Sequence, residues 1–164
     1  KKALREFVQV VPNDANLGLV IFDSSGIEVR VPLGTAANVR SQFIKHVDNL
    51  HADGGTPLHS AIELGYAELQ KQAKCQLGYG EYHLVVLTDG EANSGQDATS
   101  MVNKILSESP VMIYTIGFGI GTNHSLNQPG RIIYKPANDY EELKKELTEV
   151  LAESPTFDIQ GFEN

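Results

Sequence analysis

The sequence has little cysteine, little positive charge and no long apolar run. Cys75 is the only cysteine in 164 residues, so no intrachain disulfide can form. Lysine and arginine total 13 against 21 acidic residues, for a formal net charge of −8. This balance argues against nonspecific binding to nucleic acid or to anionic membranes, because both require clustered basic residues. No apolar run approaches the ~20 residues of a membrane span, and the first residues of this sequence do not show the pattern expected of a signal peptide.

The remaining composition is that of an ordinary soluble globular domain, with 41% hydrophobic and 21% charged residues. The length suffices for one domain with a substantial core. We expect this domain to span residues 1–152, with a C-terminal tail at 153–164, where apolar periodicity is weak. No capping residue precedes the helical pattern at 1–11, so we expect the domain to be N-terminally incomplete.

Helical and strand-like patterns alternate along the chain. Apolar spacing predicts a helix at 1–11 and further helices that begin near Asn38, Thr56, Asp97 and Asn138 or Asp139. Short apolar runs predict strands at 17–22, 27–31, 84–87, 111–118 and 131–135. This order predicts an α/β fold of three layers, Rossmann-like, with helices on both faces of a mostly parallel central sheet. The short link between the first two strands predicts an antiparallel hairpin that places one strand at the sheet edge.

Asp89 follows the strand at 84–87, whose uninterrupted apolar residues suit a strand covered on both faces. Ligands of open parallel sheets bind just beyond the carboxyl ends of the strands, which makes Asp89 a candidate site residue. Aspartate is also common in turns, where it bonds to its own backbone. Glu91, two residues later, is expected to face solvent.

Thr56 lies in the second polar loop, Gly-Gly-Thr-Pro at 54–57. Its hydroxyl is a hard oxygen donor of the kind that magnesium binds. The alternative is a helix N-cap, since Pro57 suits the first helical position and threonine accepts a backbone N–H there. Asp53, just before this loop, is expected to be solvated.

Together the GGTPL segment at 54–58 and the VVLTDGE segment at 85–91 make the chain resemble the von Willebrand factor A domain. The residues at 113–119, IYTIGFG, are also similar to a strand of that family. The resemblance implies adhesion or assembly through a metal-ion-dependent adhesion site. It implies that Thr56 and Asp89 bind a divalent cation, usually Mg²⁺ or else Mn²⁺ or Ca²⁺. A protein partner would complete the coordination with an aspartate or glutamate.

One part of the family pattern has no match in residues 1–164. The resemblance implies an Asp-x-Ser-x-Ser loop after a central strand, and both would precede the helix at Lys1. The segment Asp23-Ser24-Ser25-Gly26-Ile27 is a weak substitute, because it ends in isoleucine and lies in the hairpin. The alternative to cation-dependent binding is therefore a metal-independent scaffold or regulatory module within a larger assembly, such as a chelatase-like or ATPase-associated one.

The sequence does not predict an enzyme. It contains no Walker loop, no Gly-x-Ser-x-Gly elbow and no acid–base pair that can be placed in one site. His59 and Ser60 lack a third partner, and the histidines lack zinc-ligand spacing. The glycines at 117–121 follow a strand, but the segment after them does not read as a helix, which argues against a dinucleotide site. We expect these glycines to permit tight turns instead.

Overall fold

The computed structural model describes residues 1–51 and 54–152, so the predicted tail at 153–164 and Asp53 lie outside the described residues. The predicted α/β class is confirmed, and every predicted helix and strand is present with shifted ends. The elements in chain order are α1 (Lys2–Val10), β1 (Asn16–Asp23), β2 (Gly26–Thr35), α2 (Ala36–Asp48), α3 (Leu58–Cys75), β3 (His83–Thr88), α4 (Thr99–Glu108), β4 (Met112–Phe118), β5 (Ile133–Ala137) and α5 (Tyr140–Ala152). Within the described ranges, no helix is long and apolar enough to cross a membrane.

The described strands form two sheets. β3, β4 and β5 make a parallel sheet in that order, and β1 and β2 make the predicted antiparallel hairpin. The parallel register pairs His83 with Met112 and Thr88 with Gly117, so β3 and β4 end together. The hairpin is a separate sheet because β1 pairs with β2 and, within the described residues, with no strand of the parallel sheet.

The carboxyl ends of β1 and β3 lie at the same edge of the molecule. Gly54 approaches the end of β1 so closely that a Cβ atom placed on it would lie 2.6 Å from the backbone nitrogen of Ser24. Thr56, two residues later, lies against the end of β3, where a Cβ atom placed on Gly90 would be 3.0 Å from the Thr56 hydroxyl oxygen. β1 and β3 therefore run in the same direction, and we call this edge the carboxyl edge.

Two predicted helix starts are wrong, for different local reasons. α2 begins at Ala36, ahead of Asn38, because carbonyl oxygens of the α1–β1 loop accept the N–H groups of Ala36 and Ala37 at 2.7 and 3.1 Å. These bonds satisfy donors that a capping side chain would otherwise serve. α3 begins at Leu58, so Pro57 occupies the N-cap position and Thr56 lies outside the helix.

The core consists of three apolar clusters on the two sides of the strands. Leu84 and Val86 of β3 belong with the cluster around α3 and α4, whereas Val85 and Leu87 belong with the cluster around α1 and α5. A third cluster joins the hairpin to α1 and α2. β4 is buried from Ile113 to Gly117, but β1 and much of β3 stay half-buried despite their apolar sequences.

Candidate functional site at the carboxyl edge

Asp89 extends from the end of β3 into solvent. It follows Thr88, the last residue of the strand, which is buried. The Asp89 side chain is exposed, and its carboxylate forms no hydrogen bond or ion pair with any described residue. The turn role considered for Asp89 therefore has no support from its contacts, and the carboxylate remains available to a ligand.

Thr56 lies beside the same turn and is half-buried. α3 has no side-chain cap, so the Thr56 hydroxyl does not serve as the helix cap that its sequence context allowed. A Cβ atom placed on Gly90 would lie 3.0 Å from the Thr56 hydroxyl oxygen, so this hydroxyl packs directly against the turn that carries Asp89. The structure thus brings the two predicted ligand loops together, while their metal-binding role stays a prediction.

Backbone and amide contacts fasten these two loops to each other. Asn93 Oδ1 accepts the backbone N–H of Thr56 at 2.9 Å, and the Asn93 N–H donates to the Thr56 carbonyl at 3.0 Å. Farther along, Gln96 Oε1 accepts from both the backbone N–H and the hydroxyl of Ser60. These paired bonds hold Thr56 at a fixed place relative to the end of β3.

His124 supports the Asp89 turn from the opposite side. Its side chain is fully buried, and Nδ1 accepts the Leu126 N–H at 3.1 Å. The ring proton therefore resides on Nε2, which donates to the Gly90 carbonyl at 3.1 Å. The same carbonyl accepts the Thr88 hydroxyl at 3.1 Å. The turn that presents Asp89 is thus fixed by a residue distant in sequence.

Tyr134 completes this support by holding the loop at 119–130. Its ring stacks on His124 with centroids 6.1 Å apart, and its hydroxyl donates to the Gly121 carbonyl at 2.7 Å. Burial, together with the negative charge of exposed Glu91, raises the Tyr134 pKa above its ordinary value. The hydroxyl therefore remains protonated and acts as a donor at neutral pH.

Asp23, the weak substitute for a metal ligand, is used within its own turn. Its carboxylate accepts the Ser25 backbone N–H at 2.8 Å and also the Ser25 hydroxyl. Hydrogen bonds from Ser25 lower the Asp23 pKa, and the charge of Arg30 adds to this effect. These contacts are those of an Asx turn that closes the β1–β2 hairpin.

The donors at the carboxyl edge suit part of the coordination shell of a hard cation. Thr56 contributes a hydroxyl and Asp89 a carboxylate, both held by strand or loop backbone. Mg²⁺ prefers six oxygen ligands and commonly retains water among them. Among residues 1–51 and 54–152, no group of three or more histidine, cysteine, aspartate or glutamate side chains is positioned to hold a metal. The described residues therefore fit a site that takes further oxygen ligands from water or from a partner.

The sequence reasoning missed the residues that support the site. Asn93 and His124 are 37 and 34 residues away from the groups that they bond. Neither residue lies in a local motif that would reveal such a distant partner. Gln96 was missed for the same reason, since only the folded chain places it beside α3.

The fold and its two polar loops define a Rossmann-like α/β domain with a candidate ligand site at the carboxyl edge of its strands. Residues 1–149 match the family model of the von Willebrand factor type A domain, and the chain belongs to this family. Domains of this family generally mediate protein–protein interactions, and some of them depend on a metal ion.

The proteins similar to this chain include two solved structures and one sequence relative. A von Willebrand factor type A protein from Catenulispora acidiphila matches with a TM-score of 0.72 and 19% identity, over 93% of this chain and 37% of that one. The manganese-loaded TRAP protein of Plasmodium vivax matches with a TM-score of 0.62 and 22% identity, over 88% of this chain and 62% of that one. The uncharacterised Synechocystis protein sll0103 is 27% identical over 123 residues, which are 73% of this chain and 27% of that protein.

These matches establish the fold, and they also show a difference in length. The chain spans about a quarter of the Synechocystis protein and 37% of the Catenulispora chain. The VWA domain of SpRpn10 is closer in size, with a TM-score of 0.61 and 13% identity over 90% of this chain and 80% of that one.

Proposed function

We propose that the chain is a protein-binding domain that recognises its partner through a divalent cation at the carboxyl edge, and that it is not an enzyme. The observation that carries the proposal is the unpaired, exposed carboxylate of Asp89 beside the uncommitted hydroxyl of Thr56. Both groups are presented by loops whose backbones are fixed by Asn93 and His124. A preorganised pair of oxygen donors is a suitable half-site for Mg²⁺ or Mn²⁺.

Thr56 and Asp89 would hold the cation, and when bound it supplies a positive charge that attracts a carboxylate of the partner. Asp89 contributes the charge that binds a cation, and Thr56 contributes a neutral donor. A low number of protein ligands leaves positions open for an aspartate or glutamate of the partner. The manganese-loaded TRAP structure supports the proposal by showing that one similar fold accommodates such an ion.

A second candidate function is a metal-independent scaffold within a larger assembly. It is favoured by the small number of acidic groups at the carboxyl edge, where no described cluster of three or more metal-binding side chains occurs. In this case the exposed loops would bind a partner directly through hydrogen bonds and apolar contacts. The two candidates differ in whether a chelator releases the partner.

Selection from a random-peptide display library, on the immobilised chain with Mn²⁺ present, distinguishes the two candidates. We expect the selected peptides to share an aspartate or glutamate, to elute with EDTA, and to lose binding to the Asp89→Asn variant. Asp14→Asn is the matched control, because Asp14 is an exposed aspartate in the α1–β1 loop, away from the carboxyl edge. Peptides that stay bound in EDTA and bind Asp89→Asn equally well would favour the scaffold and contradict cation-dependent recognition.

A further inference from the structure

Asp89 is followed directly by glycine, and an aspartate–glycine pair can react with itself. The backbone nitrogen of the residue after an aspartate can attack the aspartate side-chain carboxyl and close a succinimide ring. This step is intramolecular, so the two reacting groups are already close together. Glycine hinders the attack least, because it has no side chain beside its nitrogen. Within residues 1–51 and 54–152, Asp89 is the only aspartate that precedes a glycine.

The nitrogen that would attack is weakly held. The last register pair between β3 and β4 joins Thr88 to Gly117, so the Gly90 N–H lies beyond the regular hydrogen bonds of the sheet. It donates to the Thr88 hydroxyl at 3.3 Å, which is longer than the usual range for an N–H to oxygen bond. Little hydrogen bonding is therefore lost when this nitrogen reacts.

The carboxyl group that would be attacked is accessible. Asp89 is exposed, and its carboxylate forms no hydrogen bond or ion pair with any described residue. Asp23 is the structural contrast, because it also lies in an exposed turn and precedes a small residue, Ser24. The Asp23 carboxylate accepts the Ser25 backbone N–H at 2.8 Å and also the Ser25 hydroxyl. Asp23 must break these bonds to react, whereas Asp89 has none to break.

The Gly90 carbonyl restrains the same turn. It accepts His124 Nε2 and the Thr88 hydroxyl, each at 3.1 Å. Ring closure turns the peptide between Asp89 and Gly90 and shifts this carbonyl, so both bonds oppose the reaction. Removing the bond from His124 should therefore speed ring closure.

We propose that Asp89–Gly90 is a site of spontaneous isomerisation to isoaspartate, and that His124 slows this reaction. The Gly90 nitrogen bonds to the side-chain carboxyl carbon of Asp89, which releases its hydroxyl group together with the amide proton as water. Water then adds to either ring carbonyl and breaks the bond from that carbon to nitrogen. Opening at the side-chain carbonyl restores aspartate, and opening at the main-chain carbonyl gives isoaspartate. The reaction requires no oxidant, reductant or cofactor.

Isomerisation alters the carboxyl edge without changing the net charge. The isoaspartate backbone contains an additional methylene group, and its free carboxylate is the former main-chain carbonyl. The oxygen donors of Asp89 are thereby displaced from the place that the turn gives them. The reaction needs only the chain and water, so it is independent of the proposed cation, whereas its effect on cation binding rests on the proposed function.

The test incubates the folded 164-residue chain for several weeks in EDTA at neutral pH and physiological temperature. Peptide mapping with electron-transfer fragmentation then locates isoaspartate at each aspartate. We expect at least about tenfold more isoaspartate at Asp89 than at Asp14 or Asp23. The His124→Phe variant should form it faster by at least about twofold, because a bond that opposes ring closure is lost.

Gly90→Ala is the matched control, because it adds a methyl group beside the attacking nitrogen. We expect isoaspartate at Asp89 to form at least about threefold more slowly in this variant. Its added Cβ would lie 3.0 Å from the Thr56 hydroxyl oxygen, so thermal unfolding is used to confirm that each variant is folded.

The outcomes separate this proposal from the proposed function. No isoaspartate at Asp89, as much at Asp23 as at Asp89, or equal rates in the wild type and a folded Gly90→Ala chain would overturn the isomerisation site. An unchanged rate in a folded His124→Phe chain would overturn the role given to His124. Isoaspartate at Asp89 in a chain that binds no Mn²⁺ when fresh would support the isomerisation site and contradict the proposed function.

Discussion

At the scale of single residues, the candidate site depends on side chains that do not themselves face a ligand. His124 uses both ring nitrogens, one toward Leu126 and one toward the Gly90 carbonyl. When both nitrogens of a buried imidazole are hydrogen-bonded, its tautomer and its orientation are fixed. The position of the Asp89 carboxylate therefore depends on a ring that belongs to the loop after β4.

Replacing His124 with phenylalanine removes these bonds but preserves the ring stacked on Tyr134. We expect the free energy of unfolding to fall by about 2 to 4 kcal/mol, because the Leu126 N–H is left buried without a partner. Urea denaturation measures the change. His83→Phe is the control, since His83 stacks on Tyr114 with centroids 5.6 Å apart but has an unpartnered Nδ1. Equal losses for the two variants would contradict the role given to His124.

Gly117 is required for the close approach of Tyr134 rather than for a turn. A Cβ atom placed on Gly117 would lie 2.2 Å from the Tyr134 hydroxyl oxygen, whereas Gly121 has open space around the same position. The sequence pattern assigns the glycines at 117–121 to tight turning. That assignment is wrong for Gly117, because its backbone does not adopt a positive φ.

The variant Gly117→Ala is expected to lower the free energy of unfolding by about 1 to 3 kcal/mol through overpacking. Because the clash is with the tyrosine hydroxyl, the loss should be smaller in a Tyr134→Phe background. Gly121→Ala serves as the control and should change stability by less than about 0.5 kcal/mol. A double-mutant cycle measured by urea denaturation gives the coupling, and its absence would count against the contact.

At the scale of elements, side chains near the start of a helix stabilise it by accepting hydrogen bonds from its first N–H groups. Ala98 is the N-cap of α4 and supplies no side-chain cap, but Asp97, one residue earlier, accepts the Thr99 backbone N–H with Oδ1 at 2.8 Å and so satisfies one donor of the first turn. Hydrogen bonds from Thr99 lower the Asp97 pKa below the ordinary 3.8. A carboxyl whose pKa is lower in the folded state stabilises the fold above its unfolded pKa. That stabilisation disappears as the pH falls through the folded value.

Asp97→Ala is therefore expected to cost about 1 kcal/mol at neutral pH. The difference from the wild type should decrease as the pH is lowered from about 4 toward 2, where the wild-type carboxyl becomes protonated. Chemical denaturation at a series of pH values measures this difference in the free energy of unfolding. Asp97→Asn should retain most of the stability at neutral pH, because the amide oxygen still accepts the bond. A loss for Asp97→Ala that is equal at every pH would contradict a stabilising bond from the Thr99 N–H to the Asp97 carboxylate.

Local residue patterns predicted those elements whose ends are fixed by neighbouring residues. α5 is an example, since Asp139 accepts the Glu142 N–H at 2.9 Å and Glu142 accepts the Asn138 N–H at 2.7 Å. This is close to the predicted capping box. The start of α2 was not predictable in this way, because its first N–H groups bond to the α1–β1 loop. The same holds for the candidate site. Local motifs pointed to Thr56 and Asp89, but Asn93 and His124 could not be predicted, because they act only through contacts made in the folded chain.

At the scale of the whole molecule, the net charge affects binding and the arrangement of the strands affects burial. The net charge of −8 repels an acidic partner, so recognition of a partner carboxylate requires a positive charge at the site. The strands that were predicted to form one sheet form two, β1–β2 and β3–β4–β5, and a cavity lies between β1 and β3. The half-buried state of β1 and β3 follows from this division. The apolar sequence of β3 indicated a strand covered on both faces, whereas only Val86 and Thr88 of this strand are buried.

Titration of Mn²⁺ into the 164-residue chain, followed by the electron paramagnetic resonance signal of the free ion, tests the central claim most directly. We expect one bound ion per chain for the wild type and for Asp14→Asn. Binding should weaken by at least about tenfold in Thr56→Val, and Asp89→Asn should abolish it. Thermal unfolding of each variant confirms that it is folded. Equal binding by the wild type and a folded Asp89→Asn variant would contradict a cation site at the carboxyl edge.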